Sequence, residues 1–244
     1  MSLLASEITQ HTYQKPIHSN NNLYPRYTDQ EFYHRPINDD QTIGTSSSHV
    51  DNQNSSLINP TKMTRSFLEH LRQGSYIFYA RHAEATAGED STFMNIQDCS
   101  TQRNLSERGR NQARTYGEIF ARSNIPVTLF IFSSPLCRTI ETAQLAFGPN
   151  NVQVDPFWLN FYQLSGQLHP TKQANILNTL HLVLETPPPA GINKVIIAHS
   201  FPPGVGLGRM PNMGTIVVRP RGQGRGYEVV GQLTLDHFEG LLDE

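Results

Sequence analysis

Three short apolar runs stand out along the chain, and each is rich in aromatic or β-branched residues. They occupy residues 76–80, 128–132 and 194–198. Such runs are typical of buried β-strands. The stretches before and between them carry apolar residues at helical spacing, most clearly at 66–72, 104–120, 137–143 and 170–185. Because strands alternate with helices, the pattern predicts an α/β three-layer sandwich with a mostly parallel central sheet flanked by helices.

Residues 1–62 follow neither pattern. They are rich in Asn, Gln, Ser and His, and aliphatic residues are sparse among them. A segment of this composition cannot bury enough apolar surface to offset the entropy of ordering it. We therefore expect a flexible polar N-terminal extension over residues 1–62 and one α/β domain over residues 63–244.

Charge and composition argue against several classes of protein. The 244 residues carry a net charge of −2, and no apolar run approaches the roughly 18 residues of a membrane span. We expect no nucleic-acid partner and no membrane association. The first residues show no basic segment followed by an apolar core, so we expect no secretory signal and a cytoplasmic location.

The chain has two cysteines, Cys99 and Cys137. In a reducing compartment both should be free thiols, although a disulfide would form if their two loops meet. The sequence contains no Cys-x-x-Cys pair and no His-Glu-x-x-His motif. We therefore expect no metal site.

Basic side chains follow the ends of the three predicted strands. Arg81 and His82 follow the first, a Ser-Ser-Pro turn leads from the second to Arg138, and His199 follows the third. Since the carboxyl ends of parallel strands share one edge of a sheet, these four side chains should converge. Two guanidiniums and two imidazoles call for an anion, and guanidinium matches phosphate oxygens bidentately. A helix N-terminus near Leu136 would add backbone N–H groups.

Four motifs connect these positions to a known family. They read Arg-His-Ala-Glu at 81–84, Leu-Ser-Glu-Arg-Gly-Arg-Asn-Gln-Ala at 105–113, Ser-Ser-Pro-Leu-Cys-Arg-Thr-Ile-Glu-Thr-Ala at 133–143, and Ile-Ala-His at 197–199. In this order they resemble the histidine phosphatase (phosphoglycerate mutase-like) superfamily, and residues 98–106 are similar to a bacterial phosphatase-type subgroup of it. The resemblance spans roughly residues 75–236 and implies that superfamily's α/β fold.

The resemblance also implies roles for individual residues. His82 would attack phosphorus and become phosphohistidine, with its other ring nitrogen donating to a backbone carbonyl. Arg81, Arg138 and His199 would hold the phosphoryl oxygens. Ser200 is a further substrate-binding candidate, with a structural role as the alternative. Water would release inorganic phosphate, and no metal or organic cofactor is required.

Two positions depart from the family pattern. Ala83 stands where the family usually has Gly, which should be tolerated unless the backbone has positive φ. Asn160 stands where members commonly supply a carboxylic acid, whose catalysis is worth roughly 10²–10⁴-fold. The candidate replacements lie mostly in the loop after His82, where Glu84 and Glu89 are favoured over Asp90; Asp155 is a fourth candidate.

Three functions follow from this pattern. The leading one is a metal-independent phosphomonoesterase acting on a phosphorylated small molecule or a phosphoprotein. The second is a phosphate-ligand binding or regulatory protein with weak turnover, which the asparagine at position 160 would explain. The third, a phosphoglycerate mutase, needs contacts for a second acidic group, and the sequence offers no clear set of them.

Overall fold

The computed structural model of the protein describes residues 65–166 and 168–240. These ranges contain six α-helices and six strands, which alternate strictly only up to residue 163, and short 3₁₀ turns lie at Cys99–Thr101, Pro149–Asn151 and Pro156–Trp158. The helices are α1 (Arg65–Gln73), α2 (Glu107–Arg122), α3 (Cys137–Phe147), α4 (Leu159–Gln163), α5 (Pro170–Glu185) and α6 (Leu235–Glu239). The strands are β1 (Ile77–Arg81), β2 (Ile131–Ser133), β3 (Val152–Val154), β4 (Lys194–Ala198), β5 (Thr215–Pro220) and β6 (Tyr227–Leu233). The predicted extension over residues 1–62 lies outside the described residues and stays a prediction.

The six strands form one mixed sheet in the order β3-β2-β4-β1-β5-β6. The pairings of β1 with β4, β4 with β2, and β2 with β3 are parallel, whereas β5 and β6 add antiparallel pairs. Arg81 at the end of β1 lies opposite Ala198 at the end of β4. The residues that follow both strands therefore emerge side by side at one edge of the sheet.

Alternating side chains of β1 pack into two separate cores. Phe78 and Ala80 belong to a cluster with apolar residues of α1, α2, α3 and α6. Ile77 and Tyr79 belong to a second cluster with residues of α4 and α5. Because successive strand residues point to opposite faces, helices cover both sides of the sheet. This confirms the predicted three-layer sandwich with a predominantly parallel centre.

The second strand is shorter than its apolar run indicated. Residues 128–132 were expected to be buried, but β2 begins only at Ile131, and Leu129 and Phe130 are 70% and 47% exposed. The Thr128 hydroxyl donates to the Phe130 carbonyl at 2.8 Å and closes a turn there. The turn directs the first part of the run outward, which periodicity alone could not reveal.

The two cysteines form a disulfide, so the expectation of free thiols is wrong. Cys99 opens a 3₁₀ turn, and Cys137 is the first residue of α3. The Gln102 side chain holds these segments together, because its Oε1 accepts from the Cys137 N–H at 2.9 Å while its Nε2 donates to the Asn95 carbonyl. The bond thus ties the loop after β1 to the helix that carries Arg138.

Across the described ranges, no helix combines the length and apolarity needed to cross a membrane.

Candidate active site

His82 and His199 lie side by side just beyond the ends of β1 and β4. The His82 N–H donates to the Ala198 carbonyl at 3.0 Å, which continues the parallel pairing by one step. The two imidazole centroids are 5.6 Å apart, and both rings are buried. The sheet register therefore brings together two of the side chains that the sequence predicted to converge.

The His82 ring is held in one tautomer. Its Nδ1 lies 2.7 Å from the Ala83 carbonyl oxygen, which can only accept, so Nδ1 carries the proton. Burial, reinforced by the positive charge of Arg138, lowers the pKa of His82 to about 3 despite the favourable bond to Ala83. The ring is therefore neutral near pH 7, and Nε2 keeps a lone pair. This confirms the predicted hydrogen bond to a backbone carbonyl.

Ala83 fits without strain. Its φ is not positive, its N–H donates to the Thr142 hydroxyl, and its side chain packs in the core on the α2 side of the sheet. Thr142 in turn donates to the Arg138 carbonyl at 2.6 Å. The departure from glycine at this position thus places a methyl group in the core. The hydrogen bonds from Ala83 to Thr142 and from Thr142 to Arg138 link the segment after β1 to α3.

Arg138 is almost entirely buried, with 1% of its side chain exposed. Its Nη1 and Nη2 donate to the two carboxylate oxygens of Asp90 at 2.9 and 3.1 Å, and Nη1 also reaches the Arg103 carbonyl. Its Nε, also buried, finds no hydrogen-bond partner among the described residues. Leaving such a donor unpaired costs about 1–3 kcal/mol, and more for a charged group, so this N–H marks a place for an acceptor.

Two further arginines surround Arg81. The Arg81 Nη1 donates to the Met210 carbonyl at 2.9 Å. Burial, followed by repulsion from Arg103, Arg209 and Arg138, lowers the pKa of Arg81. Sequence reasoning identified Arg81 and Arg138 but missed Arg103 and Arg209. The result is a concentration of positive charge in a chain whose net charge is −2.

His199 completes the group from the β4 side. Its Nε2 lies 2.8 Å from the Ser134 hydroxyl, and the Ser134 N–H donates to the Ile197 carbonyl. The buried Tyr79 hydroxyl donates to the His199 carbonyl and fixes its backbone. Burial, followed by repulsion from a protonated His82 and from the charges of Arg138 and Arg81, lowers the pKa of His199 well below its ordinary value. Both imidazoles are therefore neutral in the free protein.

Glu84 is not brought to this group. Its Oε1 accepts from the Ser106 hydroxyl at 2.8 Å and its Oε2 lies 3.6 Å from the Arg108 guanidinium, at the start of α2. Gly109 allows this approach, because a Cβ there would collide with the Glu84 carbonyl. The geometry gives Glu84 a role in anchoring α2, so the expectation that it acts on substrate loses its support.

Asp90 is the candidate carboxylate that the structure places beside the basic residues. Glu89 is exposed, Asp155 accepts from the Phe157 N–H at the start of a 3₁₀ turn, and the Asn160 amide donates to the Phe157 carbonyl. The loop from 85 to 103 shows no apolar period, so nothing in the sequence favoured Asp90 over its neighbours. The proximity of Tyr162, whose ring centroid lies 5.3 Å from the Arg138 guanidinium carbon, was equally undetectable.

Ser200 holds the backbone near the site. Its hydroxyl accepts from the Met210 N–H at 2.9 Å and lies 3.4 Å from the Phe201 carbonyl. Met210 is the residue whose carbonyl binds Arg81, so Ser200 contributes to positioning that arginine. These contacts favour the structural alternative over direct substrate binding.

Taken together, the group can bind a dianion and present a neutral imidazole to it. Arg81 and Arg138 supply N–H donors, and α3 begins at the residue before Arg138, so its first turn adds a favourable dipole. Within residues 65–166 and 168–240 no cluster of three or more His, Cys, Asp or Glu side chains is arranged to hold a metal ion.

Comparison with known proteins agrees with the motifs. Residues 77–158 match the sequence model of the Histidine phosphatase superfamily (branch 1), which confirms the resemblance inferred above. The match includes three of the four motifs, while His199 lies beyond it. A mixed sheet of six strands flanked by helices is also the architecture expected of that superfamily. No curated protein sequence matches the chain significantly.

Several solved structures are similar at low identity. Phosphoserine phosphatase from Entamoeba histolytica, in complex with 3-phosphoglyceric acid, is 17% identical, with 67% of this chain and 98% of that chain covered and a TM-score of 0.45. Mycobacterial glucosyl-3-phosphoglycerate phosphatase with inorganic phosphate is 17% identical, with 66% and 99% covered and a TM-score of 0.44. The protein histidine phosphatase SixA complexed with tungstate is 15% identical, with 66% and 97% covered and a TM-score of 0.41. At these values the similarities say nothing about the substrate of this chain.

Proposed function

We propose that the protein is a metal-independent phosphomonoester hydrolase that works through a phosphohistidine on His82. The observation that carries this proposal is the neutral His82 ring, protonated on Nδ1, beside the buried Arg138, whose Nε–H has no hydrogen-bond partner in the part of the chain that the structure describes. A nucleophile needs a free lone pair, and a phosphoryl group needs cationic donors; this group of residues supplies both.

The reaction divides into two displacements. The His82 Nε2 lone pair attacks phosphorus while the bond from phosphorus to the leaving oxygen breaks, and that oxygen takes a proton. Arg81, Arg138 and His199 hold the other phosphoryl oxygens and stabilise the charge that spreads over them. Water then attacks the phosphohistidine, loses a proton, and inorganic phosphate leaves with Nε2 again unprotonated.

The charges of the site support this order of events. The free site holds several arginines and two neutral imidazoles. A phosphoryl dianion would offset the repulsion among the arginines, and it would also raise the pKa of His199, because an opposite charge favours the protonated ring. His199 could then donate to a phosphoryl oxygen as a cation.

The substrate remains either a phosphorylated small molecule or a phosphoprotein in this proposal.

The cytoplasmic location also stays a prediction. The disulfide counts against it, because such bonds persist mainly in oxidising compartments.

Hydrolysis of an aryl phosphate in the presence of EDTA tests the proposal. Wild type should turn over, and His82→Ala should lose essentially all activity because the nucleophile is gone. His70→Ala is the matched control, since His70 is an exposed histidine on α1. Equal activity of wild type and His82→Ala would refute the phosphohistidine route, and complete loss in EDTA would refute metal independence.

A second candidate function is binding or regulation by a phosphate ligand with little turnover. The observation in its favour is Asn160, whose amide is bonded to the Phe157 carbonyl and cannot act as a carboxylic acid. Calorimetry with inorganic phosphate or vanadate, set beside rates on aryl and alkyl phosphates, separates the two functions. Tight anion binding with negligible hydrolysis of both esters would favour this second function.

A further inference from the structure

Ser134 lies between the end of β2 and the start of α3, in contact with His199. Its hydroxyl oxygen is 2.8 Å from the His199 Nε2, and the residue is fully buried. Its N–H donates to the Ile197 carbonyl, and its own carbonyl accepts from the Thr139 hydroxyl at 2.7 Å. Because both backbone groups are bonded, the hydroxyl has a defined place against the imidazole.

The direction of this hydrogen bond follows from the partners available to Ser134. A serine hydroxyl has one proton to donate, and leaving a buried donor without an acceptor is costly. Among the described residues, the His199 Nε2 is the only group within hydrogen-bond distance of this hydroxyl. If Nε2 carried a proton, it would donate to the serine oxygen, and the serine proton would have no acceptor. The satisfied arrangement is therefore a Ser134 O–H that donates to an unprotonated Nε2.

The other nitrogen of the His199 ring then carries the proton. A neutral imidazole has one N–H, so an unprotonated Nε2 requires a protonated Nδ1. This Nδ1 has no hydrogen-bond partner in the described ranges, and it is not one of the fully enclosed polar atoms that lack a partner there. The ring itself lies beside the rings of His82 and Tyr162, with centroids 5.6 Å from each. An acceptor that enters the site can therefore reach this N–H.

We propose that Ser134 is a positioning residue that fixes His199 as the Nδ1–H tautomer, so that a neutral ring offers an N–H to a phosphoryl oxygen. This inference rests on the proposed function, since it assigns a task to a residue behind the same phosphoryl site. The His82 ring is also protonated on Nδ1, but that proton is bonded to the Ala83 carbonyl. One imidazole thus presents a lone pair to the ligand, and the other presents a proton.

The same hydrogen bond affects how His199 can become a cation. A second proton on Nε2 would make the Ser134 oxygen the acceptor and leave the serine proton unpaired. The Nδ1–H is present in the neutral ring and in the cation alike. Binding of a phosphoryl oxygen by His199 therefore does not require the ring to be charged.

Nitrogen NMR of the free protein, labelled with ¹⁵N at histidine, tests the tautomer directly. The His199 signals are those that His199→Gln lacks. In wild type at neutral pH, Nδ1 should have the chemical shift of a protonated ring nitrogen, and Nε2 that of an unprotonated one. Protonation of Nε2, alone or together with Nδ1, would overturn the proposal, whether or not the protein hydrolyses any ester.

Two neighbouring serines provide matched variants for the same measurement. Ser134→Ala removes the donor to Nε2, so the His199 signals should move toward a mixture of the two tautomers. Ser133→Ala removes an equally buried hydroxyl that donates to the Ser134 carbonyl at 2.9 Å, so the tautomer should stay as in wild type. Ser134→Thr keeps the hydroxyl and should keep the wild-type signals. An unchanged tautomer in a folded Ser134→Ala variant would overturn the proposal, and the wild-type spectrum decides if that variant does not fold.

Turnover of an aryl phosphate separates positioning from a purely structural role. In Ser134→Ala, kcat should fall about tenfold or more with little change in KM, because loss of one transition-state donor costs roughly 10²–10³-fold. Ser133→Ala and Ser134→Thr should keep the wild-type kcat. An equal fall in Ser134→Ala and Ser133→Ala would restrict Ser134 to the fold and overturn the proposal. If wild type hydrolyses no ester, the proposed function fails, and the NMR measurement still decides whether Ser134 fixes the tautomer.

Discussion

The sequence predicted the position of the buried Arg138, but it did not predict which residue neutralises its charge. The motif at 133–143 placed it at the start of a helix, and the helix does begin at Cys137. Its partner Asp90 lies 48 residues away, in a loop without apolar period. Spacing along the chain determines which residues share a helix face, but it does not determine the course of a long polar loop. The arginine was therefore predictable and its salt bridge was not.

Removing either partner of this pair should be costly. Arg138→Met leaves the Asp90 carboxylate buried without its counter-charge, and we expect the free energy of unfolding to fall by about 3–5 kcal/mol. The double variant Arg138→Met/Asp90→Asn should lose less than the sum of the single changes, because no uncompensated charge remains. Urea denaturation measures both. If each single variant loses less than about 1 kcal/mol of unfolding free energy, and the double variant loses the sum of the two, the pair behaves like an exposed salt bridge.

The loop between β1 and α2 is the element on which the site depends most. It carries Asp90 and Arg103, and the Cys99–Cys137 disulfide fastens its far end to the start of α3. The helices followed their periodicities well, as with α2, whose first turn is capped by the Ser106 hydroxyl, which accepts from the Gly109 N–H. The disulfide was not expected, because the cytoplasmic location inferred from the first residues argued for thiols. Two loops that meet leave no trace in local sequence.

Breaking the disulfide should weaken both the fold and the site. The bond closes a loop with a sequence separation of 38, for which chain entropy predicts about 4 kcal/mol, and measured effects are typically about 2–4 kcal/mol. Reduced protein, or Cys99→Ser/Cys137→Ser, should melt at lower temperature and hydrolyse alkyl phosphate more slowly. The serine variant is the control for reductant, since dithiothreitol should not alter it. An unchanged Tm on reduction would contradict this role.

At the scale of the whole molecule, the site imposes an energetic cost, because two imidazoles are buried among arginines. The order of β1, β2 and β4 and of the helices α1, α2, α3 and α5 was predictable, because those strands come from apolar runs and those helices have their own period. The two cores and the register of β1 with β4 then fix where Arg81, His82 and His199 emerge. The positions of Arg103 and Arg209 were not predictable, since both lie in irregular segments.

This cost of burying the imidazoles should make the free energy of unfolding depend on pH. The pKa of His82 is about 3 in the folded protein against 6.5 for an ordinary histidine, so the unfolded chain binds more protons between those values. Stability is therefore complete above pH 6.5 and falls as pH drops toward 3, by about 1.4 kcal/mol per pH unit at most for each such histidine. Urea unfolding from pH 7 to 5 measures the slope, and His82→Gln should make it shallower. A slope that the substitution does not change would show that His82 is not buried as a neutral ring.

The most direct test of the whole account is to trap the phosphorylated enzyme. Wild type mixed with an aryl phosphate, quenched in alkali because phosphohistidine is acid-labile, and digested should yield the peptide that contains His82 with the mass of one added phosphoryl group. The label should disappear on mild acid treatment and should be absent from His82→Ala. Continued turnover with no phosphoryl group on His82, or a label on another residue, would contradict the central claim.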